Sequence, residues 1–235
     1  MTQITCTITR IEALTPFVSK VVLKPQSAVH FMPGQYLQLW LNEQDKRAFS
    51  IASIPSAGEL ELHIGAGAAD QYASQAIQHL QHHYQLQQPV IAEVGLGHSQ
   101  WQPEHNRPVI LLAGGTGFSY VYSIARAIAE SHFDQPVFLY WGVRQSDALY
   151  YQEEMQQWAA SNNKYRFIPV VQQPSADWQG RTGLVHQTVL DDFVSLDAYD
   201  IYIAGPFPMV GTVRDAFLQQ GAHRGQMYAD AFAYI

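Results

Sequence analysis

Apolar positions along this chain change their spacing once. In the first hundred residues they come in short runs of β-branched and aromatic residues, at 4–11, 18–24, 35–41, 47–53, 59–64 and 90–94, with turn residues roughly every ten positions. That spacing predicts an antiparallel barrel or sandwich. One helical interruption is carried by Tyr72, Ala76, Ile77 and Leu80, with His79, His82 and His83 around it. The stretch GLGHSQWQPEHNRP, residues 95–108, ends this pattern without starting another and reads as a connection between domains. Beyond it the rhythm becomes buried strand, glycine turn, long helix. VILLA (109–113) precedes a helix over 118–130, and VFLYW (137–141) precedes one over 152–161. RFIPVV (166–171) follows, then IYIA (201–204) before a helix over 210–219. Continuous apolar strands alternating with helices predict a doubly wound parallel sheet, whose ligands enter at the carboxyl ends of the strands. The final YADAFAYI is expected to end the last strand with Phe232 and Tyr234.

The turn after the first parallel strand holds Gly114, Gly115, Thr116 and Gly117, followed by Phe118 at the helix start. Glycines here permit positive φ and let backbone N–H groups approach a phosphate, while the helix N-terminus adds a favourable dipole. The spacing matches neither the dinucleotide fingerprint nor the P-loop. Gly142 with Arg144, and Gly205 with Pro206, end two further strands on the same rim, where Arg144 is placed to hold the adenosine end of a dinucleotide. In the first half, Arg47, Ala48, Phe49 and Ser50 combine a cation, a ring and a hydroxyl on one strand. Alternation puts Arg47 and Phe49 on one face and Ala48 and Ser50 on the other. Such a strand can lay a ring and a hydroxyl against a flat heteroaromatic ligand.

Composition narrows the classes. At 47% apolar and 14% charged the 235-residue chain is globular rather than disordered. Thirteen Lys and Arg against 20 Asp and Glu leave a net charge of −7, which argues against nucleic acid as a partner. Cys6 is the only cysteine, so no intramolecular disulfide, four-cysteine zinc site or four-cysteine iron–sulfur cluster can form. The histidines on the helix lack a nearby acidic or thiol partner in sequence, and no metal site is expected. No apolar run approaches membrane-spanning length, so no membrane association and a cytoplasmic location are expected.

PGQY (33–36), RAFS (47–50), GGTGFS (114–119), YWGVR (140–144) and AGPFPM (204–209), in that order, resemble the ferredoxin-NADP reductase superfamily over essentially the whole chain. DKRAFSIAS, ELHIGA and DAFAYI resemble, within it, the bacterial NAD(P)H-flavin reductases. The resemblance implies a flavin-binding antiparallel β-barrel over 1–100 followed by an NAD(P)-binding α/β domain over 106–235. It implies hydride transfer from NADH or NADPH to FMN, FAD or riboflavin. By the same resemblance the flavin falls to Arg47, Ala48, Phe49, Ser50, His63 and Ile64, with the Ser50 hydroxyl on flavin N5 as the catalytic contact. The pyridine nucleotide falls to Gly114, Gly115, Thr116, Gly117, Phe118, Arg144, Gly205 and Pro206, with Thr116 near the nicotinamide.

Three departures from the family pattern stand out: Ala48 where proline is usual, Ala204 where a cysteine is common, and no Gly-x-x-Ser/Thr phosphate turn in HIGAGAADQYAS (63–74). Without that turn, or a basic residue near it, the flavin's adenylate end has no anchor. With one cysteine there is no iron–sulfur relay either. Flavin is therefore expected as a diffusible substrate in a ternary complex with the nicotinamide, reduced flavin passing to a luciferase, a monooxygenase or ferric iron. The alternatives are a reductase with prosthetic FAD that serves a protein acceptor, and a nucleotide-sensing subunit without turnover.

Overall fold

The computed structural model describes residues 2–67 and 70–235. Its contacts divide the chain into two units, Met1–Gln100 with Tyr122–Ala127, and Trp101–Val121 with Ile128–Ile235.

The first unit is an antiparallel six-stranded sheet of β1 (Thr2–Thr15), β2 (Val18–Pro25), β3 (Tyr36–Trp40), β4 (Lys46–Ser50), β5 (Leu60–Gly65) and β6 (Val90–Leu96), in the order β4-β3-β6-β1-β2-β5. The long β1 shifts register against β2 between Ile8 and Arg10 and again between Ala13 and Thr15. Such bulges bend a strand and increase its twist. The sheet curls until its edges meet. Ala52 N–H donates to the Glu61 carbonyl at 2.8 Å, and the Ser53 hydroxyl bridges Glu59 O and Glu61 N–H. Inward residues such as Leu23, Leu37, Leu39, Leu60 and Leu62 are fully buried inside it.

Helix α1 (Gln71–Gln85) is capped by Asp70, whose carboxylate accepts from Ala73 N–H. It buries Ala73, Ala76, Ile77 and Leu80, the i, i+3, i+4, i+7 face. Tyr72, expected on that face, is instead 48% exposed, because Ala73 takes the inward position one residue later.

The second unit is an all-parallel sheet of β7 (Val109–Gly114), β8 (Val137–Val143), β9 (Tyr165–Val171), β10 (Arg181–Thr182), β11 (Asp200–Ala204) and β12 (Met227–Tyr228), ordered β10-β9-β8-β7-β11-β12. With it go the two ends of α2 (Phe118–Ala129), whose middle belongs to the first unit, and α3 (Gln152–Ala160), α4 (Val185–Asp192) and α5 (Phe207–Gln219). Ile110, Leu112, Ile201 and Ile203 pack with Val189 of α4 and Phe217 of α5. Trp141 turns to the other face, where Phe118 stacks on it at 3.7 Å. This is the doubly wound parallel sheet expected after the barrel.

The segment following Gln100 is tied to β11. Gln102 N–H donates to the Tyr202 hydroxyl at 3.0 Å, and His105 Nδ1 lies 2.8 Å from the Asp200 carboxylate. The chain's last residues correct the expected strand. Only Met227 and Tyr228 pair with β11, and 230–233 form a 3-10 turn. Phe232 there lies under the Arg224 guanidinium, and Tyr234 stacks on Phe207 at 5.5 Å. Among the described residues no helix is long and apolar enough to cross a membrane.

Candidate functional site

In a parallel sheet the carboxyl ends of all strands share one edge. Gly114 pairs with Gly142 and Ala113 with Ala204, so the Gly114 turn, the β8 end and the Gly205-Pro206 segment are neighbours on that rim. The four turn residues are shaped by different needs. Gly115 sits at φ +55° with open space where a Cβ would stand, so only its backbone conformation calls for glycine. A Cβ on Gly117 would lie 2.5 Å from the Ala204 carbonyl carbon and oxygen, and one on Gly114 would strike the Met209 sulfur. Those two glycines therefore let the turn lie flat against β11 and α5.

The turn's carbonyls are held from within. Trp141 Nε1 donates to Gly115 O at 2.9 Å, and Ser119 Oγ donates to Thr116 O at 2.8 Å. Phe118 N–H caps the same short turn, and the Phe118 ring is fully buried on Trp141. Phe118 therefore supports the turn from beneath and has no surface to offer a ligand. What remains exposed is Gly115, with Thr116 half-buried beside it, at the positive end of α2. Arg144 is exposed. Its Nε donates to Gln173 Oε1 at 3.2 Å while Gln173 N–H donates back to Arg144 O at 2.8 Å, which leaves its terminal nitrogens unpaired among the described residues. Pro206 is exposed and Gly205 half-buried.

In the first unit, β4 alternates as expected. Arg47 is buried, Ala48 exposed, and Phe49 half-buried against the barrel core. Ser50 stands opposite Tyr36, half-buried, and its hydroxyl has no hydrogen-bond partner among the described residues. Ala48 N–H donates to the Tyr72 hydroxyl at 2.6 Å, and the Tyr72 ring lies 6.0 Å from Phe49. Arg47 does not project toward solvent. Its side chain is enclosed by Asp45, Gln75 and the first turn of α1.

On β5, Ile64 and His63 are both buried. His63 Nε2 lies 2.8 Å from Glu61 Oε1, and Lys20 Nζ is 3.4 Å from the same oxygen. Burial pushes the Glu61 pKa up, but the His63 hydrogen bond and the charges of His63, Lys20 and Arg126 outweigh it and bring it down to about 2. Cys6 is buried, which pushes its thiol up to about 12 and leaves it protonated at neutral pH. Within the HIGAGAADQYAS segment, Ala68 and Ala69 lie outside the described residues.

Sequence reasoning missed Trp141, Tyr72, Asp45, Gln75 and Gln173 as members of these clusters. Only Asp45 left a signal, two residues before Arg47 and so on the same side of an extended chain.

The residues 111–215 match the family model described as oxidoreductase NAD-binding domain. The whole chain is 43% identical over 235 residues to the NAD(P)H-flavin reductase of Vibrio harveyi, with 99% of each chain covered. It is 38% identical to the NAD(P)H-flavin reductase of Aliivibrio fischeri, again over 99% of each. Among solved structures, a ferredoxin reductase in carbazole 1,9a-dioxygenase superposes with a TM-score of 0.81 at 28% identity, covering 98% of this chain and 69% of that one. An antiparallel barrel joined to a parallel nucleotide sheet, matched end to end at this identity, makes the chain a member of the NAD(P)H-flavin reductase family, with the ferredoxin-NADP reductase-like fold.

Proposed function

We propose that this protein transfers a hydride from NADH or NADPH to a flavin (FMN, FAD or riboflavin) that binds as a substrate and leaves reduced. The observation that carries the reading is the Ser50 hydroxyl. It is partly open, lacks a protein partner among the described residues, and stands next to the half-buried Phe49 on β4. A hydroxyl so placed can donate to flavin N5, and His63 and Ile64 on β5 complete the flavin's side of the site.

The nucleotide falls to the other unit. The diphosphate falls to the exposed Gly115 beside the half-buried Thr116, at the positive end of α2, with Gly114 and Gly117 supplying close packing and Phe118 the support beneath. Thr116 lies toward the nicotinamide, Gly205 and Pro206 line the rim, and Arg144 serves the adenosine end. The barrel over 1–100 is the flavin domain and 106–235 the NAD(P) domain.

In the reaction, nicotinamide C4 gives a hydride, one proton with two electrons, to N5, so alignment of the two atoms to about 3–3.5 Å is the main demand. The protein's part is to bind, orient and exclude water. Electrons then leave on the flavin, since a single cysteine admits no four-cysteine iron–sulfur relay. Reduced flavin released in the cytoplasm would serve a luciferase, a flavin-dependent monooxygenase or ferric iron.

Steady-state oxidation of NADH and NADPH with each flavin tests this. The expected result is turnover with added flavin, intersecting initial-velocity lines and a colourless purified protein. Parallel lines, or a yellow protein holding stoichiometric FAD, would overturn the substrate reading.

A further inference from the structure

Helix α1 carries His79, His82 and His83 in its second half, and the structure treats them differently. His79 and His83 are four residues apart, so their side chains rise from one face of the helix, a turn from each other. Their ring centroids stand 4.2 Å apart with the planes at 35°, and both residues are half-buried, whereas His82 is exposed. The His83 ring is fixed from outside the helix. The chain leaves α1 through Gln87, at φ +53°, and comes back so that the Pro89 carbonyl lies 3.0 Å from His83 Nδ1. A carbonyl only accepts, so Nδ1 carries the proton and the lone pair of the neutral ring is on Nε2. His79 has no hydrogen-bond partner for either ring nitrogen among the described residues.

We propose that His79 and His83 form a chelating site for a divalent transition metal ion of the zinc class, held by two imidazoles on α1 and independent of the flavin and nucleotide groups. An imidazole nitrogen binds zinc at about 2.0–2.1 Å, which puts each ring centroid about 3.2 Å from the ion, so centroids 4.2 Å apart subtend a little under a right angle at a shared ion. A slight splaying of the two rings opens that angle toward the tetrahedral value. The Pro89 carbonyl does what an outer partner does in a metal site: it sets the tautomer and the orientation of the ring, and leaves Nε2 for the ion. His83 also lies in the last turn of α1, where the negative end of the helix dipole favours a cation. Asp45 is the carboxylate whose charge acts on His79, but both its oxygens are bonded to Arg47, and no group of three or more donors is gathered among the described residues. The site is therefore open, with its remaining positions left to solvent, and suits an exchangeable ion. The expectation of no metal site rested on the lack of an acidic or thiol neighbour, and a pair of imidazoles needs neither. Imidazole nitrogens suit zinc, copper and nickel, whereas magnesium and calcium take oxygen ligands.

The test titrates zinc chloride calorimetrically into the full chain, made without a histidine tag, as the wild type, His79→Gln, His83→Gln and His82→Gln, with magnesium chloride as the comparison ion. The expected result is one zinc ion per chain at micromolar affinity in the wild type and in His82→Gln, and no magnesium bound in that range. Binding should weaken at least about tenfold in His79→Gln and in His83→Gln, because losing either ring turns a two-point attachment into a single bond. Zinc should also raise the thermal unfolding temperature of the wild type, since the folded helix holds the two rings together and the unfolded chain does not, and it should leave that of His79→Gln unmoved. Circular dichroism in EDTA checks that each variant keeps the wild-type fold. Should His83→Gln lose it along with the bond to Pro89, His79→Gln, which breaks no such bond, carries the test. A wild type that binds no zinc in the micromolar range would overturn the proposal. So would binding that survives in both His79→Gln and His83→Gln, or that is lost equally in His82→Gln, because the ion would then belong to other histidines. None of these readouts uses flavin or NAD(P)H, so the functional reading stands or falls separately.

Discussion

Trp141 on β8 donates its indole N–H to the carbonyl of Gly115, 2.9 Å away on the turn after β7, while its ring stacks on Phe118. The bond ties the one glycine with positive φ in that turn to the neighbouring strand. It fixes the carbonyl inward, which leaves the outward side of the turn to ligand.

The first prediction concerns that bond. Trp141→Phe keeps the stack and deletes the donor, leaving the Gly115 carbonyl unmatched. A hydrogen bond of this kind has a net value of about 0.5–1.5 kcal/mol. The KM for NAD(P)H should rise roughly two- to tenfold with the flavin KM unchanged. Equal rises for both substrates would show that the bond matters to the whole fold rather than to the turn.

A second prediction separates the glycines of the same turn. Gly117→Ala forces a methyl onto the Ala204 carbonyl, a backbone group that cannot swing aside, and should cost about 1–3 kcal/mol of stability. Gly115→Ala meets no atom within 4 Å and carries only the left-handed penalty of about 1–2 kcal/mol, partly offset by a stiffer unfolded chain. Urea denaturation should rank Gly117→Ala as the less stable protein. The reverse order would mean that the turn is set by its dihedrals rather than by its contact with β11.

Ser50→Ala isolates the proposed N5 contact. The hydroxyl has no structural partner among the described residues, so stability should change by less than about 0.5 kcal/mol. The value of kcat with saturating flavin should drop by about tenfold or more, since a hydrogen bond strengthened as charge develops on the ring acts on the transition state. Ser50→Thr, which retains the hydroxyl, should recover most of the rate. An alanine variant with wild-type kcat would remove Ser50 from the chemistry.

What the sequence disclosed follows from how local each feature is. The unbroken VILLA run announced a strand buried on both faces, and the alternation of Arg47 and Phe49 against Ala48 placed the sides of β4 correctly, because both are periodicities of a few residues. Helix α4 escaped, since VHQTVLDD shows only Val185 and Val189 on one face, too short a stripe to register. Tyr72 was put inside because its ring outweighed the neighbouring alanine in any apolar pattern, yet small Ala73 fits against the sheet and the larger ring does not. The partners of Arg47 were hidden for a different reason. Gln75 lies 28 residues away, and nothing local says which side of an arginine will be covered by a helix.

The last prediction is a pH dependence at β5. Glu61 is nearly enclosed, its side chain 12% exposed, with one oxygen shared by His63 at 2.8 Å and Lys20 at 3.4 Å. Burial alone would raise its pKa above 4.5, but the His63 hydrogen bond and the surrounding positive charge lower it to about 2. A carboxyl whose folded pKa lies below its unfolded value contributes stability that is complete above about pH 4.5 and disappears as the pH falls toward 2. Glu61→Gln, which cannot ionise, should therefore be less stable than the wild type by on the order of 2 kcal/mol between pH 5 and 7. The gap should narrow steadily below pH 4.5 as the wild type loses its advantage, which urea titrations at stepped pH would follow. A gap that stays constant down to pH 3, or widens on acidification, would mean that the Glu61 carboxylate is not held ionised by His63 and Lys20, and that its place on β5 is one of shape alone.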